Sequence, residues 1–269
     1  MKDIRMYCLC LDDHLLSKVK KLNYIPVGLG EANFSTGWLR DNTGENISNK
    51  NPYYGEYSFH YWFWKNELIN LDDDEWVGFC QKRRFWLQSK NENMKNSFKD
   101  MILKDVPIEW KSHDAIICEH IKLGTKFTKL LKRGWRNLLK KPTLLFSYKS
   151  VSIKVHFDMH HGHGVIDQAI NLMDKKDRDE FRDYVNTKNK FNPHIMFITN
   201  KKLMDKYFND LFNWLFKCEK IFGFENLKGY DQTRLYAYLS ERYLSFWFKK
   251  NTKYLEWDWT FFEKNQTIK

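Results

Sequence analysis

Six short segments, too brief for helices and rich in apolar or β-branched residues, recur along the chain between longer stretches with helical character. They are residues 3–11, Tyr24 to Val27, Trp76 to Cys80, Ala115 to Cys118, 151–158 and Pro193 to Thr199. Most are continuous apolar runs, as expected of strands buried on both faces of a sheet. In 151–158, Val151, Ile153, Val155 and Phe157 alternate with polar residues, which predicts a half-buried strand. Helices are predicted from Pro52 to about Leu68, near 92–104, from about Val165 to Tyr184, and over about 201–221 and 231–249. Pro52 suits a first helical position because its missing N–H leaves nothing unpaired there. Strands alternating with helices predict an α/β fold with a mostly parallel central sheet and a helical C-terminal part.

A chain of 269 residues can bury a sizeable core unaided. No apolar run approaches the roughly 18 residues of a spanning helix. The first apolar stretch runs into Asp12-Asp13-His14 with no small-residue cleavage site, so it does not read as a secretory signal. The five cysteines are scattered and never spaced C-x-x-C, which predicts reduced core thiols in a cytosolic protein.

The net charge is +11, and much of it is local. Eight Lys and Arg lie between Lys122 and Lys141, and no acid follows before Asp158. Phe127, Leu130, Leu131, Trp135, Leu138 and Leu139 fall at helical spacing among them. A basic amphipathic helix with Phe127, Lys129, Lys132, Arg133, Trp135 and Arg136 suits an anionic membrane surface. A core-packed surface helix and a nucleic-acid contact are the competing readings. The second is disfavoured because no helix-turn-helix, zinc-finger or RNP pattern is present.

In an open α/β sheet, ligands bind beyond the carboxyl ends of the strands. Arg83 and Arg84 follow such an end, where paired guanidiniums can hold a diphosphate through bidentate hydrogen bonds. Asp72 to Glu75 lie at an amino end and read as a solvated loop. The segment from Asp158 to Gly164 follows the alternating strand and holds His160, His161 and His163, residue types that serve as bases or metal ligands. Asp158, His160 and His163 are the weak metal candidates, and a helix-capping loop is the alternative. Asp41, Asn42 and Asn46 belong to a polar turn able to contact a ribose or sugar. The chain has no P-loop, G-x-G-x-x-G or G-x-S-x-G motif, which disfavours P-loop ATPases, dinucleotide-binding dehydrogenases and α/β hydrolases.

Several of these segments together resemble a bacterial family of capsular-polysaccharide glycosyltransferases first catalogued as a domain of unknown function. The resemblance rests on Arg40 to Ser48, Lys50 to Glu56, Tyr61 to Asn66, Val77 to Phe85, Asn192 to Ile198 and Arg234 to Leu244. It covers most of the chain, although Thr125 to Thr143 reads as an addition. Two departures stand out. Gln81-Lys82 replaces a His-Tyr pair before the arginines, and the histidine-rich segment continues Gly162-His163-Gly164-Val165-Ile166-Asp167 rather than with a Glu-Asp pair.

The resemblance implies a single GT-A-like, Rossmann-type domain across 1–269. Residues 1–120 would form the nucleotide-sugar half, 121–150 the basic insertion and 151–269 the acceptor side. It also implies transfer of a sugar from a nucleotide diphosphate donor, a UDP-sugar foremost, to a growing surface glycan on a lipid carrier at the cytoplasmic face of the membrane. The base would lie near Cys10, Leu11, Asp12, Val27 and Gly28, with the diphosphate at Arg83 and Arg84. Asp158, His161 or Asp167 would act as the base, and His194, Arg234 and Glu241 would line the acceptor side. Mn²⁺ or Mg²⁺ is the cofactor the fold analogy suggests. Arginines in the metal's place are the alternative, since no Asp-x-Asp follows the matching strand. A glycan-binding module without catalysis and a nucleic-acid-binding protein are the rival functions.

Overall fold

The computed structural model describes residues 4–90 and 98–262. Part of the stretch expected to be helical near 92–104 therefore lies outside the described residues; within it, Phe98–Met101 is a helical turn. Eleven strands occur among the described residues. In chain order they are β1 (Ile4–Cys10), β2 (Ile25–Gly28), β3 (Leu39–Arg40), β4 (Trp76–Gln81), β5 (Arg84–Trp86), β6 (Ala115–Cys118), β7 (Ile121–Lys122), β8 (Lys190–Phe191), β9 (Phe197–Thr199), β10 (Tyr254–Trp257) and β11 (Trp259–Phe261). The chain divides into two compact units. The first comprises the residues up to Glu119, His194–Asn209 and those from Phe248 onward; the second comprises His120–Pro193 and Asp210–Trp247.

The first unit holds a nine-stranded mixed sheet of order β10-β6-β9-β4-β1-β2-β3, with β5 paired to β4 and β11. β1 runs parallel to β2 and β4, and β6 parallel to β10. β9 runs against both β4 and β6. The continuous apolar runs of β1, β4 and β6 follow from burial on both faces. At Gly78 in β4, a Cβ would stand 2.6 Å from side-chain atoms of both Ile198 and Met6, so any larger residue there would have to displace them. The helix Tyr57–Asn66 buries seven consecutive residues, Tyr57 to Phe63, against this unit's core. The helix expected from Pro52 to Leu68 is interrupted. Gly55 takes a φ of 58°, which separates Asn51–Tyr54 from Tyr57–Asn66.

The second unit is built of helices and the small antiparallel β7–β8 pair. The predicted strand at 151–158 is instead the helix Ile153–His161. Ser152 caps it, its Oγ accepting the Val155 N–H, and Ile153, Phe157 and His161 recur every fourth residue as its buried side. The expected helix over Val165 to Tyr184 is two, Val165–Asn171 and Lys175–Thr187. The expected basic helix is likewise two, Phe127–Arg133 and Trp135–Lys140, with Gly134 between them. A Cβ on Gly134 would lie 2.7 Å from Leu130 Cδ1 and 2.9 Å from the Leu130 carbonyl oxygen, so a side chain at the break would force one of them to shift.

Candidate functional site

The carboxyl ends of β1 and β4 lie side by side, with Leu9 registered against Gln81. Beyond them Lys82 and Arg83 form the two-residue turn of the β4–β5 hairpin, closed by the Gln81–Arg84 pair. The turn is tied to the sheet at both positions. Lys82 N–H donates to the Leu9 carbonyl at 3.0 Å, and the Arg83 carbonyl accepts the Phe262 N–H at 2.8 Å.

A cleft of about 440 Å³ opens here, lined by Asp12, His14, Lys18, Lys82, Arg83 and Phe262, among others. Lys82 is ion-paired with Asp12, and Lys18 sits 4.9 Å over the Phe262 ring. Burial alone would raise the Asp12 carboxyl, but the hydrogen bond and charge of Lys82 outweigh it and hold the group below its ordinary value. Among the described residues, three cationic side chains and one already neutralised carboxylate leave the cleft positive, which suits a polyanion such as a diphosphate.

The paired arginines separate. Arg83 lines the cleft, whereas Arg84 does not. Arg84 Nη1 donates to Gln81 Oε1 at 2.7 Å, its guanidinium lies 5.5 Å over Phe261, and its buried Nε has no hydrogen-bond partner. The expectation that both guanidiniums hold one diphosphate is therefore corrected: strand alternation turns Arg84 onto the sheet. Lys82 and Lys18 take its place. In the sequence, Lys82 stands out only as a departure from a family pattern, and nothing in the pattern marks Lys18. The signal available was Lys82's position at the tip of a two-residue turn.

The polar turn at 40–46 is mostly self-satisfied. Asp41 is completely buried, accepting from Gly30 N–H at 2.8 Å and Ser58 Oγ at 2.6 Å, and burial raises its carboxyl above the ordinary value despite these bonds. Arg40 donates to the carbonyls of Gly28 and Gly30. Asn46 closes its own loop through the Gly44 carbonyl and Ser48 N–H. Asp41 thus pins the β2 end, with both carboxylate oxygens hydrogen-bonded within the protein and none exposed to solvent. Asn42 is exposed. Cys10 and Val27 are buried and Leu11 is half-exposed, while a Cβ at Gly28 would meet the Phe34 ring at 2.7 Å.

Because β9 is antiparallel to its neighbours, the residues before it lie at the carboxyl edge of the same sheet. His194 is there, with φ of 78° followed by 46° at Ile195, left-handed values uncommon for residues other than glycine. Gln81 Nε2 donates to the His194 carbonyl at 2.9 Å, and the imidazole meets Trp259 edge-on at 4.3 Å. Burial, assisted by the Arg84 charge, pushes its pKa down to about 3. A neutral ring of such low basicity suits hydrogen bonding better than proton abstraction.

The histidine-rich segment belongs to the second unit and ends a helix, so its expected place at a sheet edge is corrected. Asp158 is sealed; Lys154 Nζ lies 2.7 Å from its Oδ2 and 2.8 Å from Asp167 Oδ2, and Gly164 N–H donates to Asp158 Oδ1 at 3.0 Å. His163 stands 3.5 Å from Asp158. His161 bonds the Asp231 carbonyl at 2.8 Å, stacks on Tyr238, and is pushed by burial to a pKa of about 2. Burial also lowers His160, beside Arg133. Among the described residues no three His, Cys, Asp or Glu side chains gather as a metal site, so Asp158, His160 and His163 do not form one. Arg234 and Glu241 lie in the second unit, unlike His194, and Glu241 pairs with the buried Arg242.

A family described as a domain of unknown function, DUF4422, matches residues 6–252. A comparison with curated proteins gives no match. Among solved structures, the chain is similar to one titled as the apo form of the WbbM bifunctional glycosyltransferase, with a TM-score of 0.70 and 19% identity. The alignment covers 99% of this chain and 46% of that one, so the chain spans about half the length of its structural neighbour. The mixed α/β fold with a mainly parallel central sheet is thus shared with that structure.

Proposed function

From the premise that this chain belongs to the DUF4422 family, we propose that it transfers a sugar from a nucleotide diphosphate donor, a UDP-sugar foremost, to a glycan acceptor. The observation that carries the reading is the positive cleft at the carboxyl edge of β1 and β4, lined by Lys18, Lys82 and Arg83. Glycosyl transfer leaves negative charge on the departing diphosphate. Cations already fixed around it stabilise the transition state without reorganising at the moment of reaction. The likeness to a bifunctional glycosyltransferase supports the same reading at the level of fold.

In this reading the cleft's lysines and arginine take the charge that Mn²⁺ or Mg²⁺ carries in metal-dependent relatives of the fold. Of the three residues expected as the acceptor base, the Asp167 side chain is 34% exposed, whereas Asp158 is sealed and His161 is too weakly basic. His194 lines the acceptor side as a hydrogen-bonding group. The acceptor is a growing capsular or other surface glycan on a lipid carrier, met at the inner face of the cytoplasmic membrane.

A thermal-shift screen of UDP-, GDP- and CMP-sugars, with and without Mn²⁺, tests the donor assignment. A ligand that binds only the native protein raises its melting temperature. A rise with a UDP-sugar that persists in a chelator supports the reading. No rise with any nucleotide sugar in either condition removes it.

A further inference from the structure

Five of the twelve exposed large hydrophobic residues among those described fall within twenty positions of the second unit. Phe127, Leu131, Trp135, Leu139 and Phe146 are 44, 46, 50, 74 and 91% exposed. They belong to three consecutive short helices, Phe127–Arg133, Trp135–Lys140 and Leu144–Ser147. Each of those helices already has its own core residue. Leu130 and Leu144 are buried with Met159, and Leu138 and Val155 pack on them. The packing of the segment is therefore met by the inward leucines, and the outward apolar residues remain to be explained.

The charge around them has one sign. Lys126, Lys129, Lys132, Arg136, Lys140 and Lys141 are all exposed, and no Asp or Glu occurs between Lys122 and Phe157. Arg133 differs from these six, since it is held by Asp231 at 3.0 Å. Arg136 lies 5.2 Å over the Trp135 ring. Cations rimming exposed aromatic and aliphatic tips fit a surface that is anionic outside and apolar just beneath. A nucleic acid would use the cations but gives Leu131 and Leu139 nothing to bury against.

We propose that these three helices form a docking face for an anionic phospholipid bilayer, with Leu139 and Phe146 entering the headgroup boundary and the lysines lying among the phosphates. The contact is peripheral, as no helix among the described residues is long and apolar enough to cross a membrane. It gives the proposed transferase a place to meet a lipid-linked acceptor and rests on that reading for its purpose only. Lipid attachment itself requires no turnover.

The test is co-sedimentation with vesicles of phosphatidylcholine alone or with about one-third phosphatidylglycerol. The wild-type chain should bind the anionic vesicles at least tenfold more tightly. Reversing Lys129, Lys132 and Arg136 to Glu should weaken that binding by roughly fivefold or more per residue. Leu139→Ser with Phe146→Ser, at exposed tips that hold no core contact, should abolish most of it while the melting temperature stays unchanged. Wild-type protein that ignores phosphatidylglycerol, or Leu139→Ser/Phe146→Ser protein that binds as tightly as wild type, overturns the proposal. An oligonucleotide bound more tightly than anionic vesicles does the same. Nucleotide-sugar thermal shifts on the same variants separate this result from failure of the transferase reading.

Discussion

The Lys82–Asp12 pair gives the sharpest test of the donor cleft, because the two residues should respond non-additively. In Lys82→Met, a nucleotide diphosphate loses one cationic partner and also faces an Asp12 carboxylate no longer neutralised. A hydrogen bond to a charged group contributes about 1.5–3 kcal/mol, and the side chains here are 28% and 36% exposed, so the lower end applies. A carboxylate left about 5 Å from a phosphate oxygen, at an effective dielectric of about 40, adds about 1.7 kcal/mol of repulsion. The single variant should therefore bind UDP more weakly by roughly two orders of magnitude, since about 1.4 kcal/mol is a factor of ten. In Lys82→Met/Asp12→Asn the repulsion is gone, and about one order of magnitude should return. Titration calorimetry with UDP, on both variants and the parent, measures the coupling directly. Equal affinity in the single and double variants would mean that Asp12 does not face the phosphates. An unaffected single variant would remove Lys82 from the cleft chemistry altogether.

The neighbouring arginines should split by assay: Arg83→Ala weakens UDP binding about tenfold with little change in melting, while Arg84→Ala lowers the melting temperature and leaves UDP affinity nearly intact. Swapped phenotypes in thermal unfolding and titration would refute the assignment. His60 is fully buried without a hydrogen-bond partner, and burial pushes its pKa from 6.5 to about 3. The unfolded chain binds this proton first, so the contribution is full above pH 6.5 and is lost as pH falls toward 3; at pH 5.5 the loss is about 1.4 kcal/mol. Urea unfolding of His60→Leu should show a correspondingly shallower fall in stability over that range, and a slope equal to the parent's would contradict the burial. Gly78→Ala should cost about 1–3 kcal/mol by overpacking against Ile198 and Met6. A denaturation midpoint unchanged in that variant would show that β4 has more room than the sheet geometry allows.

The parts of the fold legible in the sequence are those whose pattern has one physical source. β1, β4 and β6 are buried on both faces, so apolar runs identify them. β3 is two residues long, and β10 and β11 are rich in aromatic residues that fit a core, a loop or an edge equally well, so no pattern announces them. The segment 151–158 misleads for a definite reason. Its apolar residues at every second position also include an i, i+4 pair, Ile153 and Phe157, which serves a helix as well as a strand. Ser152, which caps the helix, is the residue that discriminates, whereas the β-branched Val151, Ile153 and Val155 point to a strand. The histidine-rich segment therefore ends a helix and does not lie at a sheet edge.

Within the candidate site, the residue types were legible and their directions were not. Arg83 and Arg84 are chemically equivalent in a string of letters. The register of a two-residue hairpin sends one to the cleft and the other to Gln81. His194 shows the same dependence on direction. A parallel strand at Phe197–Thr199 would have carried it to the amino edge, among the solvated acids. Because β9 is antiparallel to β4 and β6, it instead joins Gln81 and Trp259 at the carboxyl edge. The left-handed conformations of His194 and Ile195 cost energy that the surrounding contacts offset. The Gln81 hydrogen bond and the Trp259 contact both help hold the turn, so the geometry at His194 depends on the same strand end that carries Lys82 and Arg83.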